Sequence, residues 1–407
     1  MTGAGVEHHP SHDHDLLSHL VSHLVPPQGM ELPERNRTLT SPSTEFEVHI
    51  IEDVPGVSQS VSQFYPEFEG VFPDSLVLKI CGTLANEFFI NGGEIGQESI
   101  RRETSVALRD QRVPIVLGLG WVEREDGGRM ALFPQPADGR EAAMVMCNYV
   151  DETAFGAVVE APLSSAERRE IMEQSVKRML ALKVPMSAED ARSFDPVVGT
   201  RALIGETLDR AFNWRREQWG VDPSQEAKEA HRVFKVAFSE WIEDSDTRQF
   251  LQLENERGAF GDQHGDPRLF DNASIVRRSN GSPVTIIRDP VRLFLRDRQD
   301  WSNFHLCHDL LQLGCLLARP FTDPKHRDLF RYGFEAYERM SRASSSNILG
   351  DQMREKLFGI GLAYGPQVEI VVRGYVNDEG AGPVIDDYWR IDQWLSESNF
   401  LGWKEEL

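Results

Sequence analysis

Nine residues constrain this chain more than any others: His264-Gly265-Asp266-Pro267-Arg268-Leu269-Phe270-Asp271-Asn272. Two apolar, β-prone segments follow, Ala273-Ser274-Ile275-Val276 and Val284-Thr285-Ile286-Ile287. They are joined by Ser279-Asn280-Gly281-Ser282, and Arg288-Asp289 comes directly after them. An Asn-Gly step favours a tight hairpin, because its turn needs positive φ. The stretch therefore reads as loop, strand, turn, strand, with Asp266 ahead of the hairpin and Asp289 behind it. A lone His-Gly-Asp is only a turn; the combination is what narrows the choice of fold and chemistry. Phosphoryl transfer uses such a layout, with one carboxylate near the acceptor hydroxyl, another on Mg²⁺, and an amide or acid completing the metal site.

On these residues the chain resembles the aminoglycoside-phosphotransferase-like kinases. Their signature is H-G-D-x-x-x-x-N, a hairpin, and then a metal-binding Asp. The gluconate-kinase-like bacterial branch is the most similar, given Glu254-Asn255-Glu256-Arg257 before the motif and Trp301 and Asp309 after it. The resemblance implies an α+β, two-lobed protein-kinase-like fold. Its N-lobe is a small antiparallel sheet, and its C-lobe is mainly helical with an embedded catalytic hairpin. It further implies Asp266 as catalytic base, Asp289 on Mg²⁺, ATP or GTP as co-substrate, and Asp309 as an anchor near the catalytic loop. The family's Asn falls five residues after the Asp, a slot that here holds Asp271, with Asn272 one further on. Either is a candidate second metal ligand. Pro267 stands where Leu is usual, and Arg288-Asp289-Pro290 replaces an Asp followed by a small or apolar residue.

The N-terminal half offers residues for the nucleotide. Asp74 to Ile80 is an apolar strand with Lys79 near its end. An ammonium on a buried strand is costly unless it finds a partner. In the kinase fold this Lys grips the α/β-phosphates and pairs with a Glu of the next helix. Glu103, in the helical pattern 98–108, shares a face with Ile100 and Ala107 and is the candidate. Ahead of Lys79, residues 45–52 alternate like a half-buried strand. Val54 to Ser60 reads as a turn-rich break, and Val61 to Tyr65 as a resumed strand. Ser58, Gln59 and Ser60 in that break are candidates for backbone contacts to phosphate. Two more strands are expected at 118–123 and 140–149. The second ends at Cys147-Asn148, where the family carries its hinge to the nucleotide base.

Beyond residue 150 the texture is helical. Ser164-Ser165-Ala166-Glu167 has the form of a capping box, opening a helix to about Leu182. Further helices are expected near 203–217, 224–243, 247–257, 301–319, 325–342 and 350–363. The expected organisation is a His-rich, poorly ordered arm over 1–44 with a short helix ending near Leu24, an N-lobe over 45–150, and a C-lobe over 151–407. His305 and Asp309 are expected one helical turn apart, with no further ligands spaced for zinc.

Composition bounds the rest. The chain has 407 residues, 40% of them hydrophobic, and room for two cores. It contains no run long enough to span a bilayer and no secretory pattern. Cys81, Cys147, Cys307 and Cys315 show no zinc-like spacing, so free thiols and a cytoplasmic location are expected. The net charge of −22 argues against nucleic acid or an anionic membrane as partner. It suits a cationic acceptor, with Asp378-Glu379 and Asp386-Asp387 as candidates for an acidic rim. The sequence leaves the oligomeric state open. The leading reading is an O-kinase for a small molecule such as a sugar or aminoglycoside. The alternative is a degenerate kinase that binds nucleotide or a partner without catalysis. A protein kinase ranks last, because no A-P-E segment follows Asp289.

Overall fold

The computed structural model describes residues 20–32, 36–39, 46–81, 100–101, 104, 108, 116–124, 129–149, 153–206, 208–209, 222–262, 268–287, 306–341, 348–373 and 378–397. The chain divides into two units, the first running to Glu152 and adding Val276–Ser282, the second holding the remainder. Among the described residues no helix is long and apolar enough to cross a membrane.

The first unit is built on one antiparallel sheet. Its strands are β1 (Met30–Glu31), β2 (Asn36–Leu39), β3 (Phe46–Ile51), β4 (Leu76–Cys81), β5 (Val116–Arg124), β6 (Met130–Phe133) and β7 (Glu141–Cys147), in the order β1-β6-β5-β7-β4-β3-β2. Side chains alternate along each strand. On β4, Leu76, Leu78 and Ile80 are fully buried and meet Val145 and Ala143 of β7 on one face. Val77 and Lys79 take the other. Helix α1 (Leu20–Leu24) packs on β5, and helix α2 (Val57–Phe64) follows β3.

Two expectations for this unit are corrected. Residues 57–64 form a helix, not a loop running into a strand. Val57 and Val61 are its buried residues, and their spacing of four belongs to a helix face. Residues 20–32 and 36–39 are not a loose arm. Leu20, Val21, Val25 and Leu32 are buried, and the segment supplies α1, β1 and β2.

The second unit begins with β8 (Thr153–Ala154) and α3 (Phe155–Glu160), then α4 (Ser165–Ala181). Ser164 caps α4 as the sequence indicates, its hydroxyl accepting the Glu167 N–H while Glu167 accepts from the Ser164 N–H. There follow β9 (Val184–Pro185), α5 (Ala188–Ser193), α6 (Pro196–Thr200), a π-helical turn over Arg201–Glu206, α7 (Gln225–Glu243) and α8 (Ser245–Glu256). Strand β10 (Phe260–Asp262), helix α9 (Leu269–Asn272), and strands β11 (Ala273–Arg277) and β12 (Pro283–Ile287) come next. The unit ends with β13 (Leu306–His308), α10 (Asp309–Thr322), α11 (Arg327–Met340), α12 (Ile348–Arg373) and α13 (Asp378–Glu397).

The helix expected over 301–319 thus begins only at Asp309, after a strand. His308 ends that strand because its ring Nδ1 accepts the Leu310 N–H and caps the helix. The helix expected over 350–363 continues through Pro366 to Arg373. Helices α10 and α12 meet at backbone contact: a Cβ on Gly314 would lie 2.5 Å from the Leu362 nitrogen, and one on Gly361 would lie 2.6 Å from the Leu311 oxygen. A small antiparallel-sheet unit, then a mainly helical unit with an embedded hairpin, is the α+β architecture the resemblance implies.

Candidate functional site

Lys79 occupies the more open face of the first sheet. Directly paired residues of antiparallel strands share a face, so Lys79 lies with Val48 of β3 and Met144 of β7. Two residues along, Val77, Ile50 and Met146 share that face, and Leu119 of β5 joins it opposite Met144. Val48, Ile50, Val77 and Leu119 are half-buried, while Lys79 is 7% exposed. The result is an apolar, half-open surface around one ammonium. Trp121 belongs to the same face by its pairing with Ala142, and the Arg101 guanidinium lies 5.1 Å over its ring. The segment starting at Ile100 therefore rests on the Lys79 side of the sheet. Its helical bonds run from the Thr104 hydroxyl to the Ile100 carbonyl and from the Leu108 N–H to the Thr104 carbonyl, with Ile100 and Thr104 buried. Glu103 itself lies outside the described residues.

The other nucleotide candidates are placed as follows. Ser58, Gln59 and Ser60 form the first turn of α2, where the Ser58 N–H already donates to Asp74 Oδ1 at 3.0 Å. Cys147 ends β7 as a buried cysteine outside any disulfide. The Asn148 amide donates to the Ser75 hydroxyl at 2.9 Å, and Tyr149 packs 5.1 Å from Phe72. The strand order also exposes a segment that sequence reasoning passed over. Strands β2 and β3 pair as a hairpin beside the Lys79 strand, and residues 40–45 connect them. That connection reads Thr-Ser-Pro-Ser-Thr-Glu. Its run of hydroxyl side chains is the signal that was available.

In the second unit the chain leading to Asp266 is firmly held. Asp266 and Asp289 lie outside the described residues, as do His264 and Trp301. Strand β10 ends at Asp262, and α9 begins at Leu269. β10 is the middle strand of a three-stranded sheet, with Phe260 opposite His308 and Gly261 opposite Pro185. Lys183 donates to the carbonyls of Gly258 and Ala259 at 2.9 and 3.0 Å and to Asp309 Oδ2 at 3.0 Å. Three donors meet three acceptors. The Asp309 N–H in turn donates to the Ala259 carbonyl at 3.3 Å.

Beneath this, the buried His308 Nε2 lies 3.0 Å from Glu254 Oε2, and Arg257 donates to the other oxygen at 2.9 Å. Burial by itself would raise the Glu254 carboxyl, but the His308 hydrogen bond, the nearby Arg354 charge and the Arg257 hydrogen bond lower it to about 2. Neither Lys183 nor the Glu254–His308 pair was singled out from sequence. Both join residues that only the fold brings together.

After the loop, α9 carries Asp271 and Asn272 as its last residues, directly before β11. Leu269 is buried, and the Phe270 ring sits 5.4 Å from Phe155 and 5.3 Å from His326. The hairpin β11–β12 forms as expected, with Gly281 at φ +80° and the Ser282 N–H donating to Asn280 Oδ1. Its tip belongs to the first unit, where the Ser279 N–H and hydroxyl both donate to the Glu67 carbonyl. Among the described residues no cluster of three potential metal ligands occurs. The expected acidic rim is corrected at Asp387. It is buried on α13, its carboxyl raised by desolvation and partly restrained by Arg319, with which it pairs.

No family model matches the chain, and no curated protein matches it. Among solved structures it is similar to a microcompartment-associated aminopropanol kinase, with 12% identity, a TM-score of 0.42, and coverage of 94% of this chain and 98% of that one. It is also similar to a glucosamine kinase, with 12% identity, a TM-score of 0.39 and coverage of 93% and 98%. A third likeness is to a spectinomycin phosphotransferase, with 8% identity, a TM-score of 0.35 and coverage of 88% and 93%.

Proposed function

We propose that the protein is a phosphotransferase moving the γ-phosphate of ATP or GTP to a hydroxyl of a small molecule, a sugar, an aminoglycoside-like compound or a related metabolite. The observation that carries this reading is Lys79, a nearly buried ammonium on the half-open apolar face of the sheet, in the strand beside the β2–β3 hairpin. An apolar surface suits a nucleotide base, and the ammonium suits its α/β-phosphates. Glu103 steadies Lys79 from the segment that rests on the same face. Ser58 to Ser60 are the candidates for contacts to the phosphates, with the hydroxyl-rich sequence 40–45 as a second candidate. The backbone at Cys147 and Asn148 meets the base.

Asp266 orients the acceptor hydroxyl and takes its proton as the new bond forms. The held segment through Ala259 and β10, a few residues before it, supports this reading, and positioning would supply most of the acceleration. Asp289, with Asp271 or Asn272, offers only oxygen donors, the set Mg²⁺ favours. Bound there, Mg²⁺ supplies charge neutralisation at the β- and γ-phosphates.

The test is transfer of labelled γ-phosphate from ATP and from GTP to a panel of sugars, aminoglycosides and related hydroxylated compounds. Asp266→Ala is expected to lower transfer at least about a hundredfold with nucleotide binding kept. Lys79→Met is expected to weaken nucleotide binding roughly tenfold or more, the worth of a hydrogen bond to a charged group. Wild-type turnover in Asp266→Ala would remove it as the catalytic base. Labelled nucleotide that binds but transfers to nothing would leave a degenerate kinase.

A further inference from the structure

Strand β10 leads toward Asp266, which follows Asp262 by four residues in sequence. It is short, three residues between a β9 of two and a β13 of three. So small a ladder needs contacts beyond its own bonds to hold its place. Lys183 directly precedes β9, and Asp309 directly follows β13. Their ion pair, 3.0 Å long, therefore joins the chain at the two strands that flank β10. The same ammonium donates to the carbonyls of Gly258 and Ala259, the residues that lead into β10. Ala259 also accepts the Asp309 N–H, which occupies both lone pairs of its carbonyl.

Surface ion pairs hold little, because water screens them and both side chains stay mobile. This pair differs, since Lys183 and Asp309 keep only 12% and 16% of their side-chain exposure. All three ammonium donors converge on one short stretch of structure. Gly258, at φ +75°, turns the chain out of α8. The Gly258 and Ala259 N–H groups donate back to the Asn255 and Glu254 carbonyls of that helix. Helix α8 thus holds the N–H groups of the turn, and Lys183 holds its carbonyls.

We propose that Lys183 is a positioning residue for phosphoryl transfer, clamping β9 and β13 about β10 and so fixing the strand from which the chain proceeds to Asp266. The inference rests on the phosphotransferase reading and adds a residue outside the groups assigned to nucleotide, metal and acceptor. A shift of about 1 Å in a reacting group costs on the order of a hundredfold in rate, so the effect belongs in kcat. Nucleotide binding, assigned to the Lys79 face, is left intact.

Release of labelled γ-phosphate from ATP with Mg²⁺, to water and to the panel of sugars and aminoglycosides, tests it on the full chain below its melting temperature. Lys183→Met keeps the stem and deletes the donors. It is expected to lower kcat at least about tenfold, with KM for ATP within about twofold of wild type. Asp309→Asn keeps an oxygen for the ammonium, and as the milder variant it decides the matter should Lys183→Met not fold. It should lower kcat in the same way, and the double variant should be no slower than Lys183→Met, because both changes open one clamp. An unchanged kcat in the folded variants, whatever their melting temperatures, would overturn the inference and leave Lys183 structural alone. So would a KM for ATP that rises in step with the loss of rate. Wild type that releases no phosphate from ATP would instead remove the phosphotransferase reading, and this inference with it.

Discussion

Glu254 is 2% exposed, yet its carboxyl is held at about 2 rather than 4.5. A folded value below the unfolded one gives stability that is fully present above pH 4.5 and lost as the pH falls toward 2. Urea midpoints at pH 5 and pH 3 should show wild type losing more stability than Glu254→Gln. Equal losses would mean that the His308 contact does not hold this carboxyl down. Gln367 points the other way. It is fully buried, and neither amide atom has a hydrogen-bond partner among the described residues. Gln367→Met should therefore raise stability by about 1 kcal/mol in the same urea assay, and a loss would show that the amide is satisfied. At this scale Lys79 was legible, because an ammonium in an apolar strand demands an explanation. Lys183 was not. Its three acceptors lie 75, 76 and 126 residues away, and no local pattern announces them.

Elements were legible where one period dominated. The capping box opened α4 at Ser164, and Asn280-Gly281 closed the hairpin, since both signals are local and chemical. Residues 57–64 misled because Val57-Ser58-Gln59-Ser60-Val61 fits loop and helix equally well until burial picks the spacing of four. Strand β2 was missed for a different reason. Among the described residues it lies at the edge of the sheet, bonded only to β3, so Asn36, Arg37 and Thr38 need not alternate with apolar residues. The crossing of α10 and α12 gives a sharp test of packing at this scale. Gly314→Ala would set a methyl against the Leu362 nitrogen and the Phe358 oxygen, both at 2.5 Å. Overpacking of this kind costs about 3 kcal/mol. Unchanged denaturant midpoints would mean that the two helices do not approach through their glycines.

At the scale of the whole molecule, the order of strands first and helices afterward was readable, because hydrophobic period changes near residue 150. The contribution of residues 20–32 and 36–39 to the first unit was not, since prolines and polar side chains hide four buried apolar residues. Lys79 and the Lys183–Asp309 knot are each built on regular structure within their own unit, whereas Asp266 and Asp289 lie outside the described residues. The account's central claim is that these parts serve a nucleotide and its metal. A thermal-shift titration with ATP and GTP, each with and without Mg²⁺, on wild type and Asp289→Asn, tests it most directly. The account predicts a rise in melting temperature that depends on Mg²⁺ and disappears in Asp289→Asn. No shift with either nucleotide, with or without the metal, would contradict it.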